Sequence, residues 1–454
     1  MVQTGSSTTR VSAMQSGQRP GATAAFAVIT CLFFAWGFIT ALNDPLVAAV
    51  KGIFTLSRVE AQLVAFAFFI AYGLASFPAA GLIARLRPMA AILCALAMMV
   101  VGCATMLAAA NLAVFPLVLL GLFMLASGIT VLQVAANPLV AALGDPKRSH
   151  FRLTLSQTFN SFGTFLAPIL GAHLFLKGLE VQEGAAVTEE VRSRALGGID
   201  TAYVWLLGMI IALGLFLWLN RKVVNDALPP YDAAPGKSVA ALVKEAFSAP
   251  WALAGAFAIF VYVGAEVSIG TQMTAFLNDP GIWGRSDAAF SVPFLGWVMG
   301  SDGVPGVSVE EAGKAVAFYW GGAMVGRAIG SVLLARFSAP KLLASFAAIA
   351  ALLCIYIASI GGVGAGFVAL TIGLFNSIMF PVIFTITLER SSASEEATSG
   401  LLCTAIIGGA FVPLLVGKIS ELTSYHAALI VPAICYLLIC LFALRAKAAA
   451  ADRD

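Results

Sequence analysis

Hydrophobic and polar positions along this chain do not alternate. Apolar residues run instead in blocks of about 20, the length that crosses a hydrocarbon core about 30 Å thick. Twelve blocks are read, at about 24–50, 59–84, 88–109, 113–142, 151–176, 199–220, 250–278, 313–335, 340–360, 364–388, 396–419 and 425–446. Backbone groups in lipid must bond within their own segment unless a barrel closes, and long blocks without a period of two exclude the barrel. The pattern predicts an all-α membrane protein. Composition agrees: 60% of the residues are hydrophobic and 11% charged, against about 25% charged in soluble domains.

The formal net charge of +3 is small and gives no reason to expect a nucleic-acid partner. Its distribution says more. With the N-terminus in the cytoplasm, most of the 26 Lys and Arg fall on the cytoplasmic side, among them Arg85, Arg87, Lys147, Arg148, Arg152, Arg221, Lys222, Arg336, Lys341, Arg390 and Arg445. That bias fits the positive-inside rule for a multi-pass protein with both termini inside, and a bacterial-type inner (plasma) membrane is the expected location. Residues 1–23 are polar and read as a disordered cytoplasmic N-terminus; no short apolar leader with a cleavage site precedes the first block. The seven cysteines all lie in apolar blocks without metal-ligand spacing and read as small buried hydrophobes. No resident metal, no cofactor and no catalytic Ser/His/Asp or Cys/His pattern is expected, so the chain is not read as an enzyme.

The longest cytoplasmic connection, 221–249, falls between the sixth and seventh blocks and divides the chain into bundles at 24–220 and 250–446, followed by a tail at 447–454. Internal echoes suggest a duplication. NSFGTFLAPILG in the fifth block carries Gly163 and Pro168, and IIGGAFVPLLVG in the eleventh carries Gly408 and Pro413 at the same spacing. Pro138 in the fourth block answers Pro381 in the tenth, and LIARLRP after the second answers LLARFSAPK after the eighth. Two similar six-helix bundles are a common transporter plan. The prolines inside blocks read as kinks, with Pro138 and Pro381 as candidate gating positions, and the 43 glycines read mainly as sites of close helix approach.

Three ionisable residues lie well inside blocks: Asp44, Glu266 and Arg327. A charge at the bilayer centre costs at least ~2.5 kcal/mol, so such residues face a cavity, pair, or carry function. Asp44, in FFAWGFITALNDPLV, reads either as a helix-end residue beside Pro45 or as a carboxylate that takes a cation. Glu266, in YVGAEVSIG, sits on the block equivalent to the first and reads as a second acid, a ligand for hydroxyls or a structural anchor. Arg327 reads as a structural or gating residue. Amides thicken the pattern. Gln133 and Asn137 share one face of the fourth block at a spacing of four; Gln157, Asn160, Ser161 and Thr164 form a stripe on the fifth. Trp36, Thr40 and Asn43 accompany Asp44, Gln272 follows Glu266, and Asn376 lies in the tenth block. Amides both donate and accept, as a vicinal diol requires, and an aromatic face such as Trp36 suits the apolar side of a sugar ring. The alternative for any one amide is interhelical polar glue.

FFAWGFITALNDPLV, ASGITVLQVAANPLVAALG, RLTLSQTFNSFGTFLAPILG, YVGAEVSIG, LFNSIMFPVIFTITL and AIIGGAFVPLLVG together resemble the fucose permease and glucose/galactose transporter family of the major facilitator superfamily. The resemblance runs from about 25 to 445. It implies a major facilitator fold with 12 transmembrane helices in two pseudo-symmetric six-helix bundles around a central cavity, importing a sugar with a co-transported H⁺ or Na⁺. Within that family the Asn-Asp of the first span is implicated in coupling and recognition, which maps onto Asn43 and Asp44. Gln133 and Glu266 stand as in the glucose/galactose branch, where the fucose branch carries Glu and Gln. The resemblance therefore implies a hexose, with fucose or N-acetylglucosamine as alternatives. Cation coupling then rests on Asp44 and Glu266, and sugar binding on Trp36, Asn43, Gln133, Asn137, Gln157, Asn160, Glu266, Gln272 and Asn376. The loop Ala84-Arg85-Leu86-Arg87-Pro88 lacks the acidic residue of the superfamily's charge latch. The expected partners are a sugar, a cation and the bilayer, and a monomer is expected. A sugar-sensing receptor without transport, an intramembrane enzyme and a drug/proton antiporter remain as other classes.

Overall fold

The computed structural model describes the backbone of residues 21–54, 58–174, 189–228, 237–285 and 304–451, and their side chains except at 42–54, 58–66, 168–174, 189–196, 198, 199, 310 and 449–451. The elements in chain order are α1 (Ala22–Phe54), α2 (Arg58–Arg85), α3 (Pro88–Leu112), α4 (Phe115–Ala142), α5 (Ser149–Leu174), α6 (Glu189–Ala227), α7 (Val239–Ser248), α8 (Pro250–Leu277), α9 (Val309–Leu334), α10 (Ala339–Ile360), α11 (Gly362–Asn376), α12 (Met379–Arg390), α13 (Glu395–Thr404), α14 (Gly408–Leu422), α15 (Tyr425–Ala428) and α16 (Ile430–Ala451). Among the described residues the only β-pairing is an isolated bridge between Gly284 and Val307. Eleven helical stretches among them are long and apolar enough to cross a membrane. The fifth predicted block, 151–176, falls on α5, which is helical over 26 residues and only partly described.

The chain divides into two compact units. Unit 1 comprises Met1–Ala252 with Leu388–Thr404, and unit 2 comprises Leu253–Thr387 with Ala405–Asp454. The same crossing recurs inside each. In unit 1, α1 lies so close to α5 that a Cβ on Gly37 would run into the Asn160 backbone, and one on Gly163 into the Phe34 carbonyl. In unit 2, α8 meets α14 alike: a Cβ on Gly264 would strike Val412, and one on Gly408 the Phe260 carbonyl. Phe34 packs on Phe162 at 5.8 Å in the first crossing, and Phe260 on Phe411 at 6.4 Å in the second. Small residues that let backbones approach are the usual basis of helix association in lipid.

The connection read as a plain linker contains a helix. α6 runs on to Ala227, and α7 begins at the Ser238 N-cap, whose hydroxyl accepts from Ala241 N–H at 3.2 Å. The apolar side of α7 is buried at Leu242 and Ala246, and Phe247 stacks on Phe77 of α2 at 6.4 Å. Its polar side holds Glu245, which accepts 2.7 Å from Lys237 and 2.8 Å from the backbone N–H of Ser394, just ahead of α13. A carboxylate at a helix N-terminus meets both free N–H groups and the positive end of the helix dipole. Burial opposes the charge on Glu245, but Lys237 and Ser394 outweigh it and hold the carboxyl below its ordinary value.

Four of the seven cysteines are buried as expected, whereas Cys31 and Cys94 lie exposed on the outer faces of α1 and α3. A thiol is apolar enough to face lipid as well as protein, so an apolar block alone does not fix which side it takes.

Candidate functional site

The fourth and tenth spans share a device. Proline has no N–H, so each proline inside a span leaves the carbonyl four residues earlier without its helical donor. Pro138 frees the carbonyl of Val134, which the hydroxyl of Ser399 on α13 takes at 2.9 Å. Pro381 frees the carbonyl of Ser377, which Nε of Arg327 on α9 takes at 2.9 Å. The tenth span is broken there, α11 ending at Asn376 and α12 starting at Met379. Buried backbone polar groups need partners, and Ser399 and Arg327 supply them to the two freed carbonyls.

Near each of these prolines sits a tyrosine–amide pair, and both amides lie five positions before the proline. In unit 1, Nε2 of Gln133 donates to the Tyr72 hydroxyl at 2.9 Å. One turn on, Asn137 is fully buried, and its Oδ1 accepts from Nε2 of Gln157 on α5 at 3.3 Å. Nδ2 of Asn137 is buried without a protein partner. In unit 2, Nδ2 of Asn376 donates to the hydroxyls of Tyr319 at 2.8 Å and Tyr436 at 3.2 Å, while its Oδ1 is buried without a protein partner. The Tyr319 hydroxyl in turn donates to the Glu266 carbonyl at 3.2 Å.

Glu266 and Arg327 form an ion pair, Oε1 to Nη2 at 3.5 Å, with each side chain only 14% exposed. The Tyr262 hydroxyl approaches the same carboxylate without closing a hydrogen bond. Paired charges are the tolerable way to carry ions inside an apolar bundle. Arg327 therefore has two duties: it donates to the break in the tenth span and faces the carboxylate of the seventh.

The remaining expected residues are distributed as follows. Asn43 and Asp44 lie within α1, which runs through Pro45 without ending; their side chains lie outside the described residues. Trp36 is buried one turn before Thr40, packs on Phe33 at 5.5 Å and accepts the Thr40 hydroxyl at its carbonyl. Asn160 reaches back to α1, its Nδ2 on the Phe33 carbonyl at 3.0 Å, and Thr164 lies 3.4 Å from the Gly37 carbonyl. In unit 2 Gln272 donates to the Pro413 carbonyl at 3.4 Å and lines a small recess with Ser268, Met273, Phe276 and Tyr425. Tyr72, Tyr262, Tyr319 and Tyr436 were not anticipated. Their signal was present, since a tyrosine in the middle of an apolar block must bring its hydroxyl a partner.

Arg152, read from the sequence as one of the cations of the cytoplasmic side, is drawn into the protein rather than left on its surface. It is buried, and its guanidinium donates to the carbonyls of Val140, Ala141 and Asp145, closing the C-terminal end of α4.

The model of the Major Facilitator Superfamily matches residues 23–399. A glucose/galactose transporter of Brucella abortus is 38% identical over 92% of both chains. An L-fucose-proton symporter of Escherichia coli is 30% identical, again over 92% of both. Among solved structures, the transporter FucP in the outward conformation superposes with a TM-score of 0.81 at 28% identity, covering 94% of this chain and 99% of that one. A proton:xylose symporter superposes at 0.66 with 12% identity, which shows the fold alone.

Proposed function

Since the chain belongs to the Major Facilitator Superfamily, we propose that it is a secondary symporter that imports a hexose of the glucose/galactose type, driven by a proton or sodium gradient and working by alternating access. The observation that carries this reading is the pair of incomplete amides. Asn137, one turn after the Gln133–Tyr72 pair, offers a buried donor, and Asn376, itself bonded to Tyr319, a buried acceptor. A hydroxyl both donates and accepts, so sugar hydroxyls can serve either amide, whereas a lipophilic drug would leave each unsatisfied. The names of the relatives favour glucose or galactose over fucose: the glucose/galactose transporter is 38% identical and the fucose symporter 30%.

Asp44 is assigned the cation. Glu266 already has Arg327 as counter-charge, so its carboxylate is assigned to sugar hydroxyls. Asp44 lies within the long apolar helix α1, where a bare charge must be neutralised before apolar surfaces close over it; binding H⁺ or Na⁺ removes that desolvation penalty. Gln133, Gln157 and Asn137 are assigned to the sugar, with Trp36, Asn43 and Asn160 as further candidates for its recognition. Counterflow of labelled glucose in proteoliposomes, challenged with galactose, fucose, N-acetylglucosamine and lipophilic cations, tests the reading. Trans-acceleration by glucose and galactose above the other sugars is expected. Acceleration by lipophilic cations instead, or binding without exchange as in a receptor, contradicts it.

A further inference from the structure

We propose that Arg327 is a positioning residue that ties the break in the tenth span to the Glu266 carboxylate. A ligand that engages Glu266 is then felt at the hinge. The inference rests on the functional reading above only for what that ligand is. The geometry is local to unit 2. Nε of Arg327 donates to the Ser377 carbonyl at 2.9 Å, and Nη2 faces Oε1 of Glu266 at 3.5 Å. The first partner exists because Pro381 cannot donate to it; regular helix resumes only with Val382 N–H on the Ile378 carbonyl at 3.1 Å. The planar guanidinium presents its donors in a fixed fork, so one set cannot reorient without moving the other.

The approach of α9 to this break is itself built in. Gly322, Gly326 and Gly330 recur at every fourth position of α9 and face Leu370, Leu374, Ser377 and Ile378. A Cβ on Gly326 would run into the Leu374 carbonyl, which would hold Arg327 away from Ser377. On the other side, Asn376, the last residue of α11, donates to Tyr319, and Tyr319 donates to the carbonyl of Glu266. The carboxylate-bearing residue is thus joined to the two residues at the break by separate routes: through Tyr319 to Asn376, and through Arg327 to Ser377. A sugar hydroxyl that draws the carboxylate away shifts Arg327 toward the Ser377 carbonyl. A strained or straightened break in turn moves the carboxylate.

Two double-mutant cycles test the inference on purified full-length protein, read by melting temperature and by counterflow KM with glucose as probe. In the first, Arg327→Gln lowers the melting temperature by roughly 5 °C, as loss of a charge-assisted donor to a buried carbonyl implies. Adding Pro381→Ala restores the helical donor and recovers most of that loss. In the second, Arg327→Gln and Glu266→Gln each raise KM about tenfold, and the double variant raises it no further. Arg327→Lys, which keeps the charge without the fork, replaces Arg327→Gln in both cycles if the latter does not fold. Additivity in the first cycle shows that the guanidinium does not serve the carbonyl, and additivity in the second that it does not act through Glu266; either result overturns the inference. If the wild-type protein exchanges no sugar, the functional reading fails instead, and the second cycle, read by melting temperature, still decides the inference.

Discussion

Asn137 and Asn376 each keep half of a side-chain amide without a partner while the rest of the group is bonded. A buried polar group left so is destabilising by about 1–3 kcal/mol, which a sugar hydroxyl bound as proposed would offset. Asn137→Ala is therefore expected to raise the KM for the transported sugar about tenfold, the loss of roughly one hydrogen bond, in a counterflow titration; an unchanged KM removes Asn137 from the site. Amides at helical spacing were legible from sequence as candidates. Which of them would be glue was not, because that depends on which carbonyls neighbouring helices present: Asn160 spends its donor on Phe33, whereas Asn137 does not.

The elements of this protein are held where backbone is exposed to backbone or left short of a donor. Apolar blocks, their lengths and the proline echoes were plain in the sequence, since membrane thickness imposes them. The partner of each proline-freed carbonyl was not, because Ser399 and Arg327 come from distant spans. Ser399→Ala leaves the Val134 carbonyl buried and unpaired, and is expected to destabilise the protein by about 1–2 kcal/mol; Pro138→Ala added to it recovers that loss in a thermal melt. Gly326→Ala drives a methyl into backbone rather than a flexible side chain, with an expected loss of about 2 kcal/mol. At α7, Glu245 has its carboxyl held below the ordinary value of 4.5. A depressed carboxyl contributes stability that is fully present above the unfolded value and is lost as pH falls through the folded one. Glu245→Gln should thus lower the melting temperature at pH 7, and the gap should close well below pH 4.5.

At the scale of the whole molecule, the two units repeat one plan: a glycine crossing of the first and fifth spans, or the seventh and eleventh, and a tyrosine–amide pair near a proline whose freed carbonyl takes a side-chain donor, in the fourth or tenth. The duplication was legible as faint sequence echoes. Its functional asymmetry rests on charge: unit 2 carries a compensated pair, Glu266 with Arg327, while unit 1 carries Asp44 on α1. Under the proposed function, sugar recognition draws on both units and cation coupling on Asp44. The central claim is that Asp44 converts a cation gradient into sugar accumulation, and uptake into proteoliposomes under separately imposed pH and sodium gradients tests it most directly. The wild-type protein is expected to concentrate a hexose against its gradient under one of the two, and Asp44→Asn to lose that accumulation while still exchanging sugar across the membrane; uphill uptake by Asp44→Asn equal to the wild type would contradict the account.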